Sequence, residues 1–266
     1  MSVKKEAGRR SVSAEVEVPG SPEQVWRAIA TGAGVSSWFV PTQIDERAGG
    51  SVLSNFGPGM ESTSTITRWE PPQRFIADSQ DGPNEPLVAT EWTVEAQSGG
   101  TCVVRVVHTW LAEGDQWDDR FEGHAHGWRA FFRILRLYLA HFAGQPSVAF
   151  QLMAFAPAPV NEAWRKFTSS LGVDAAAAPG RALRSAPAAP TLAGHIESVG
   201  VPEHPELLVR LDDPAPGLLH AFAMAMGGQV VVPLRVFLYG DTAAAVAERI
   251  EPAWQGWLSR LFPPPA

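Results

Sequence analysis

The sequence predicts an α+β protein in which a curved antiparallel sheet wraps one long helix, with a shortened second copy of the same plan behind it. Three observations predict this. Six strand-like runs between residues 43 and 111 are separated by Gly- and Pro-rich turns, the spacing of an antiparallel meander. A stripe of apolar residues at helical spacing follows them: Phe121, Ala125, Trp128, Phe132, Leu135, Leu139 and Phe142. Two landmarks of the first half then recur, in the same order, in the second.

The elements follow in chain order. Residues 12–18 alternate, with Val12, Ala14, Val16 and Val18 on one face, and Pro19-Gly20 ends this strand. Ser21 is a good N-cap and Pro22 fits the first helical position, so a short helix is expected over 22–30. Gly32 and Gly34 are expected to break it, with a second short turn over 35–39. Strands are expected at 43–46, 51–56, 62–69, 74–79, 88–96 and 101–111, punctuated by turns such as Gly49-Gly50, Pro71-Pro72 and Gly99-Gly100. A helix over about 115–142 closes the half, with Arg120, Arg129, Arg133 and Arg136 off its apolar stripe. A curved sheet must cover its concave face with something apolar, and this helix is the element able to do so.

The long helical pattern ends at Ala143-Gly144-Gln145-Pro146, which divides the chain into 1–143 and 144–266, and landmarks of the first part recur in the second. Val25-Trp26-Arg27 through Gly34-Val35 matches Ala163-Trp164-Arg165 through Gly172-Val173, and Gly127-Trp128 matches Gly256-Trp257. In the second half, strands are expected at 150–155, 192–199, 206–211, 218–226 and 230–239, with helices at 159–171 and 242–262. That is fewer strands than the first half offers; an unrelated α+β domain is the alternative. Residues 174–190, DAAAAPGRALRSAPAAP, read as linker or long-loop material.

Composition narrows the function. The 266 residues are 45% hydrophobic, enough for a real core, and the net charge is −7. That argues against a nucleic-acid or anionic-membrane binder, which would carry a basic surface. No apolar run approaches the ~20 residues of a membrane span. Cys102 is the single cysteine, so a disulfide within the chain and a Cys-rich zinc site are both excluded. The segment Met1 to Arg10 is polar and basic with no apolar stretch after it, so a cytoplasmic setting is expected.

Several local signatures resemble the START-like, SRPBCC (birch-pollen-allergen-like) superfamily. Val18-Pro19-Gly20-Ser21-Pro22-Glu23-Gln24-Val25-Trp26 resembles its strand and "P-x-x-V-W" helix. Ser37-Trp38-Phe39 resembles its Trp-aromatic pair, Ile66 to Phe75 its strand, Pro-Pro, strand element, and Gly127-Trp128 its Gly-Trp in the final helix. The narrower likeness is to the branch of the Hsp-ninety ATPase activator homologue C-terminal domain. It covers residues 12–143, and the second half only loosely. It implies the helix-grip fold, with an apolar cavity between sheet and closing helix. The residues expected to line that cavity are Trp38, Phe39, Phe56, Trp92, His108, Trp110, Phe121, Trp128, Phe132 and Leu135.

Strand alternation supports part of this set. Val88, Thr90, Trp92 and Val94 share one face; Cys102, Val104, Val106, His108 and Trp110 share another. His108 is then the polar group best placed to orient a ligand. The plainer reading is a core histidine bonded to a neighbouring backbone carbonyl. Trp26 and Trp164 read as core filling.

Other chemistry is weakly signalled. His124 and His126, near Asp118, Asp119 and Glu122, suggest a metal site, but histidines two apart on a helix point in different directions. The acidic residues suit a helix N-terminus, and no metal or cofactor is expected. There is no G-x-S-x-G, and Cys102 sits in an apolar strand. Glu91 faces away from Trp92 and so from the cavity.

Three functions remain open. The leading one is non-enzymatic binding of a small hydrophobic or amphipathic molecule. The second is a cyclase, dehydratase or hydrolase acting on a polyketide-like or aromatic substrate, with His108 as general base. The third is a co-chaperone-like interaction module with a protein partner or a homodimer, which predicts a solid core and an exposed apolar patch.

Overall fold

The computed structural model describes residues 2–6, 9–57, 59–79, 86–111, 118–174 and 177–263, with side chains from residue 11 onward except at 111 and 118–126. The chain divides into two compact units, Met1–Ala143 and Gly144–Ala266.

The first unit runs β1 (Ser2–Glu6), β2 (Arg9–Pro19), α1 (Pro22–Ala30), α2 (Gly32–Ser36), β3 (Thr42–Ile44), β4 (Ser51–Asn55), β5 (Glu61–Glu70), β6 (Arg74–Ser79), β7 (Leu87–Ala96), β8 (Thr101–Leu111) and α3 (Asp118–His141). Its eight strands form one sheet in the order β1-β2-β8-β7-β6-β5-β4-β3. Every described neighbour pair is antiparallel. The inward faces of β2 and β8 are apolar: Val12, Ala14 and Val18, then Cys102, Val104 and Val106, all buried. On α3, Trp128, Phe132, Leu135, Leu139 and Phe142 are buried while Arg129, Arg133 and Arg136 are exposed, so the stripe faces the sheet. This is the helix-grip arrangement. Phe121 and Ala125 of the expected stripe, with His124 and His126, lie outside the described side chains.

The start of α1 is fixed by chemistry visible in the chain. Gln24 N donates to Ser21 Oγ while the Gln24 side chain accepts from Ser21 N, a reciprocal capping box with Pro22 at the first turn. The expected turn over 35–39 is instead α2 at 32–36. Thr31 caps it, accepting from Gly34 N at 3.0 Å. The helix over 22–30 ends at Ala30 as expected, and the two glycines lie inside α2, where they let it pack. A Cβ on Gly34 would overlap the carbonyl of Arg27.

The second unit runs β9 (Ser147–Ala156), α4 (Val160–Leu171), β10 (Ala182–Arg184), β11 (Ala193–Val201), β12 (His204–Asp213), β13 (Gly217–Phe222), β14 (Met224–Met226), β15 (Gln229–Tyr239) and α5 (Ala243–Leu261). Its sheet has seven strands, and β9 pairs with β15. The first unit does the same: its strand before the short helices, β2, pairs with its last strand, β8. Strand, helix, strands, closing helix, with first strand beside last, is therefore repeated in tandem. The copies differ: one twelve-residue helix stands where the first unit has two short ones, and no counterpart of β1 precedes β9. The expected strand over 218–226 is broken at Ala223 into β13 and β14.

The linker reading of 174–190 is corrected. Its described part belongs to the second unit's sheet: β10 pairs with β11, and Leu183 is buried. Ala186 N donates to Leu171 O at 2.9 Å, and Ser185 N to Leu192 O at 3.0 Å. One leucine among small residues anchors the segment, and its backbone finds partners in the sheet edge.

Candidate functional site

The site is built on the paired strands β7 and β8. Their register sets Thr90 directly opposite His108. Both point inward, so their side chains meet: Thr90 Oγ1 lies 2.9 Å from His108 Nδ1. From above, α3 brings Trp128, whose indole N–H donates to His108 Nε2 at 2.7 Å. An indole nitrogen only donates. His108 Nε2 is therefore the acceptor, and the ring proton sits on Nδ1, aimed at the Thr90 hydroxyl. These two partners of His108 are both side chains, one from β7 and one from α3. Both His108 and Trp128 are buried.

Aromatic rings surround this trio. Trp92 meets Trp128 edge-on at 5.1 Å and stacks on Phe75 at 6.2 Å. Trp38 is 1% exposed, touches Trp92, and donates its N–H to Ala28 O at 2.8 Å. Trp110 lies beside His108 at 5.6 Å. Phe132 packs on Trp92 and Trp128, and Leu135 is fully buried. Farther along, Trp26, Trp69 and Phe75 form another cluster, with Trp26 as core filling. This end of the concave space is filled.

The other end is not closed in the same way. Phe39 stacks on Trp128 at 5.5 Å, meets Phe131 at 4.3 Å and Phe56 at 5.6 Å. Phe39, Phe56 and Phe131 are all only half-buried. On the same face of the sheet, several inward positions carry small side chains, most of them serines. Ser54 pairs with Ser62, Ser64 with Val52, and Ser79 with Val88, all half-buried. Among the described residues, the inward side chains of β4, β6, β7 and β8 include no carboxylate, guanidinium or ammonium group. Glu91 points the other way and is paired with Arg74 at 2.6 Å.

Of the expected lining residues, Trp38, Trp92, Trp110, Phe132 and Leu135 are core. His108 and Trp128 form the polar junction, Phe39 and Phe56 stand at the rim, and Phe121 lies outside the described side chains. The sequence reading set Thr90 on the face of Trp92 without naming it a lining residue, and it missed Phe131 and the serines. The serines had a signal: Ser62 and Ser64 alternate with exposed threonines along β5 just as an inward face should.

Neither remaining candidate is poised for chemistry. Cys102 is buried, its thiol donates to Gly20 O at 3.3 Å, and burial pushes the thiol pKa up. Both ring nitrogens of His108 are engaged, so neither stands open as a general base. A second buried polar set lies in the other unit. There His220 Nε2 is 3.4 Å from Glu206 Oε1, and Arg235 Nε donates to Gln151 Oε1 at 2.7 Å. Burial lowers the Arg235 pKa to about 10. No helix among the described residues is long and apolar enough to cross a membrane.

Residues 19–140 match the family model described as "Activator of Hsp90 ATPase homolog 1-like protein". No curated protein matches the sequence. Among solved structures, the di-domain ARO/CYC BexL from the BE-7585A biosynthetic pathway is 15% identical, with 97% of this chain and 100% of that chain covered and a TM-score of 0.45. CalU16 from Micromonospora echinospora is 17% identical over 52% of this chain and 83% of its own, with a TM-score of 0.41. The Aha1 dimer from Colwellia psychrerythraea is 16% identical over 48% of this chain and 95% of its own, with a TM-score of 0.41.

Proposed function

From a first unit that fits the Hsp90 ATPase activator-like branch of the SRPBCC superfamily, we propose that this protein binds a small, uncharged, largely apolar molecule between the sheet and α3 of that unit. One observation carries the reading. The fully buried aromatic core gives way at Phe39, Phe56 and Phe131, which pack on one another but stay half-buried, and the inward positions of β4 and β5 carry half-buried serines at Ser54, Ser62 and Ser64. Rings left half-exposed on a concave face are costly unless something apolar lies on them. Mostly apolar walls with a few fixed polar groups are the usual make-up of a small-molecule site.

The enzymatic alternative draws no support from His108. To take a proton, its Nε2 would first have to give up the Trp128 N–H.

The test is native mass spectrometry of the purified chain before and after organic denaturation, joined to a thermal-shift screen with apolar and aromatic compounds. A retained mass lost on denaturation, or compounds that raise the melting temperature in wild type but not in Phe39→Ala, is the expected result. A bare mass with no shift across the panel overturns the reading and moves the weight to a protein-interaction role.

A further inference from the structure

We propose that Trp128, His108 and Thr90 form a one-way hydrogen-bond chain that presents the Thr90 hydroxyl hydrogen to the cavity, selecting a flat aromatic ligand that carries an uncharged oxygen acceptor such as a ketone carbonyl. This deepens the ligand-binding reading above and rests on it.

The direction of the chain follows from donor and acceptor inventories. Trp128 Nε1 has one hydrogen and no lone pair to accept with, and it lies 2.7 Å from His108 Nε2. A hydrogen on Nε2 would face the indole hydrogen, so the imidazole carries its hydrogen on Nδ1. Nδ1 lies 2.9 Å from Thr90 Oγ1, and with both hydrogens otherwise facing each other, the hydroxyl must accept there. Its own hydrogen then points elsewhere. Thr90 is half-buried on the concave face. Ala77 stands opposite it on β6, and two residues farther along, on the same face, stand Ser79 and Val88. The residues flanking Thr90 on this face of β6 and β7 are small, and Phe39 and Phe131 pack on the Trp128 that holds the other end of the chain.

The ligand chemistry follows. The group meeting Thr90 must accept a hydrogen bond, because the hydroxyl is committed as a donor. A carboxylate there would face no described cation on the inward faces of β4, β6, β7 and β8, and an unpaired buried charge is strongly disfavoured. A carbonyl meets both conditions. Flat aromatic rings suit the aromatic rim by stacking or edge contact.

The experiment uses 2-acetylnaphthalene and 2-isopropenylnaphthalene, which differ only in carbonyl oxygen against CH2. Dissociation constants are measured for the full chain as wild type, Thr90→Val and Thr90→Ser, with melting temperatures as a check on folding. Wild type is expected to favour the ketone by about three- to tenfold, as one uncharged hydrogen bond allows. Thr90→Val should bind both compounds with the affinity wild type shows for the hydrocarbon. Thr90→Ser should restore the preference, and the bound ketone should show a lowered carbonyl stretch only in wild type and Thr90→Ser. Equal affinities in wild type, or a preference that survives Thr90→Val, overturns the chain while leaving the ligand-binding reading intact. Binding of neither compound counts against that reading, and the chain falls with it. Nitrogen-15 shifts placing the His108 proton on Nε2 overturn the chain independently of any ligand.

Discussion

The indole N–H of Trp128 donates to Nε2 of His108 at 2.7 Å, tying α3 of the first unit to the last strand of its sheet. Both residues are buried, so the bond is sheltered from water. It also fixes which imidazole nitrogen bears the proton.

Trp128→Phe keeps most of the ring but removes the donor, leaving a buried acceptor on His108. A loss of about 1–3 kcal/mol in unfolding free energy is expected. Urea unfolding of Trp128→Phe, His108→Phe and the double variant measures it. The double variant should be less destabilised than the sum of the singles; strict additivity would mean the bond contributes nothing.

Gly34→Ala should destabilise, because its Cβ meets the Arg27 carbonyl, which is backbone and cannot swing aside. Gly127→Ala and Gly256→Ala should behave oppositely. Both lie inside long helices; no described atom lies within 4 Å of a Cβ at Gly127, and only the mobile end of Arg260 does at Gly256. Each should gain up to about 1 kcal/mol. Thermal melts of the three variants compare the signs directly.

Ser21→Ala removes the hydroxyl that accepts from Gln24 N and should cost about 0.5–2 kcal/mol. Ser21→Asp restores an accepting oxygen and should recover most of that loss in the same chemical denaturation series.

Burial is the main cause that raises the Cys102 thiol above its ordinary value of 9.0, with the Glu23 charge adding to it. The folded state therefore holds the proton more tightly than the unfolded chain. This contribution is complete below the ordinary value and is lost as pH rises through the folded one. Wild type should lose stability above about pH 9 more steeply than Cys102→Ala. A thiol reagent at neutral pH should label Cys102 only as fast as the chain opens; labelling at the rate of a free thiol would contradict its burial.

Much of the fold was legible because it rests on local signals. Alternation over Val12 to Val18 and over Cys102 to Trp110 identified inward faces that the structure buries. The helical stripe from Trp128 to Phe142 did the same for α3. Where reading failed, a distant partner decided. Residues 174–190 look like a linker because Ala and Pro carry no period, yet Leu183 and the sheet edge at Gly194 hold them in place. Gly34 reads from the sequence only as the end of the first helix, which does stop at Ala30; that it also lets α2 pack against Arg27 is set by the fold.

The candidate site divides along the same line. The chain by itself determined that His108, Trp92 and Thr90 face inward and that Trp128 faces the sheet, because side-chain direction follows backbone period. Register is not written in any one strand: that Thr90 stands opposite His108 depends on how β7 pairs with β8. Phe131 falls just off the apolar stripe and becomes a rim residue only because Phe39 comes to meet it. Donor direction, proton position and the boundary between fully buried core and half-buried rim depend on atoms from separate elements meeting within hydrogen-bond or van der Waals range, and tertiary structure alone sets those distances.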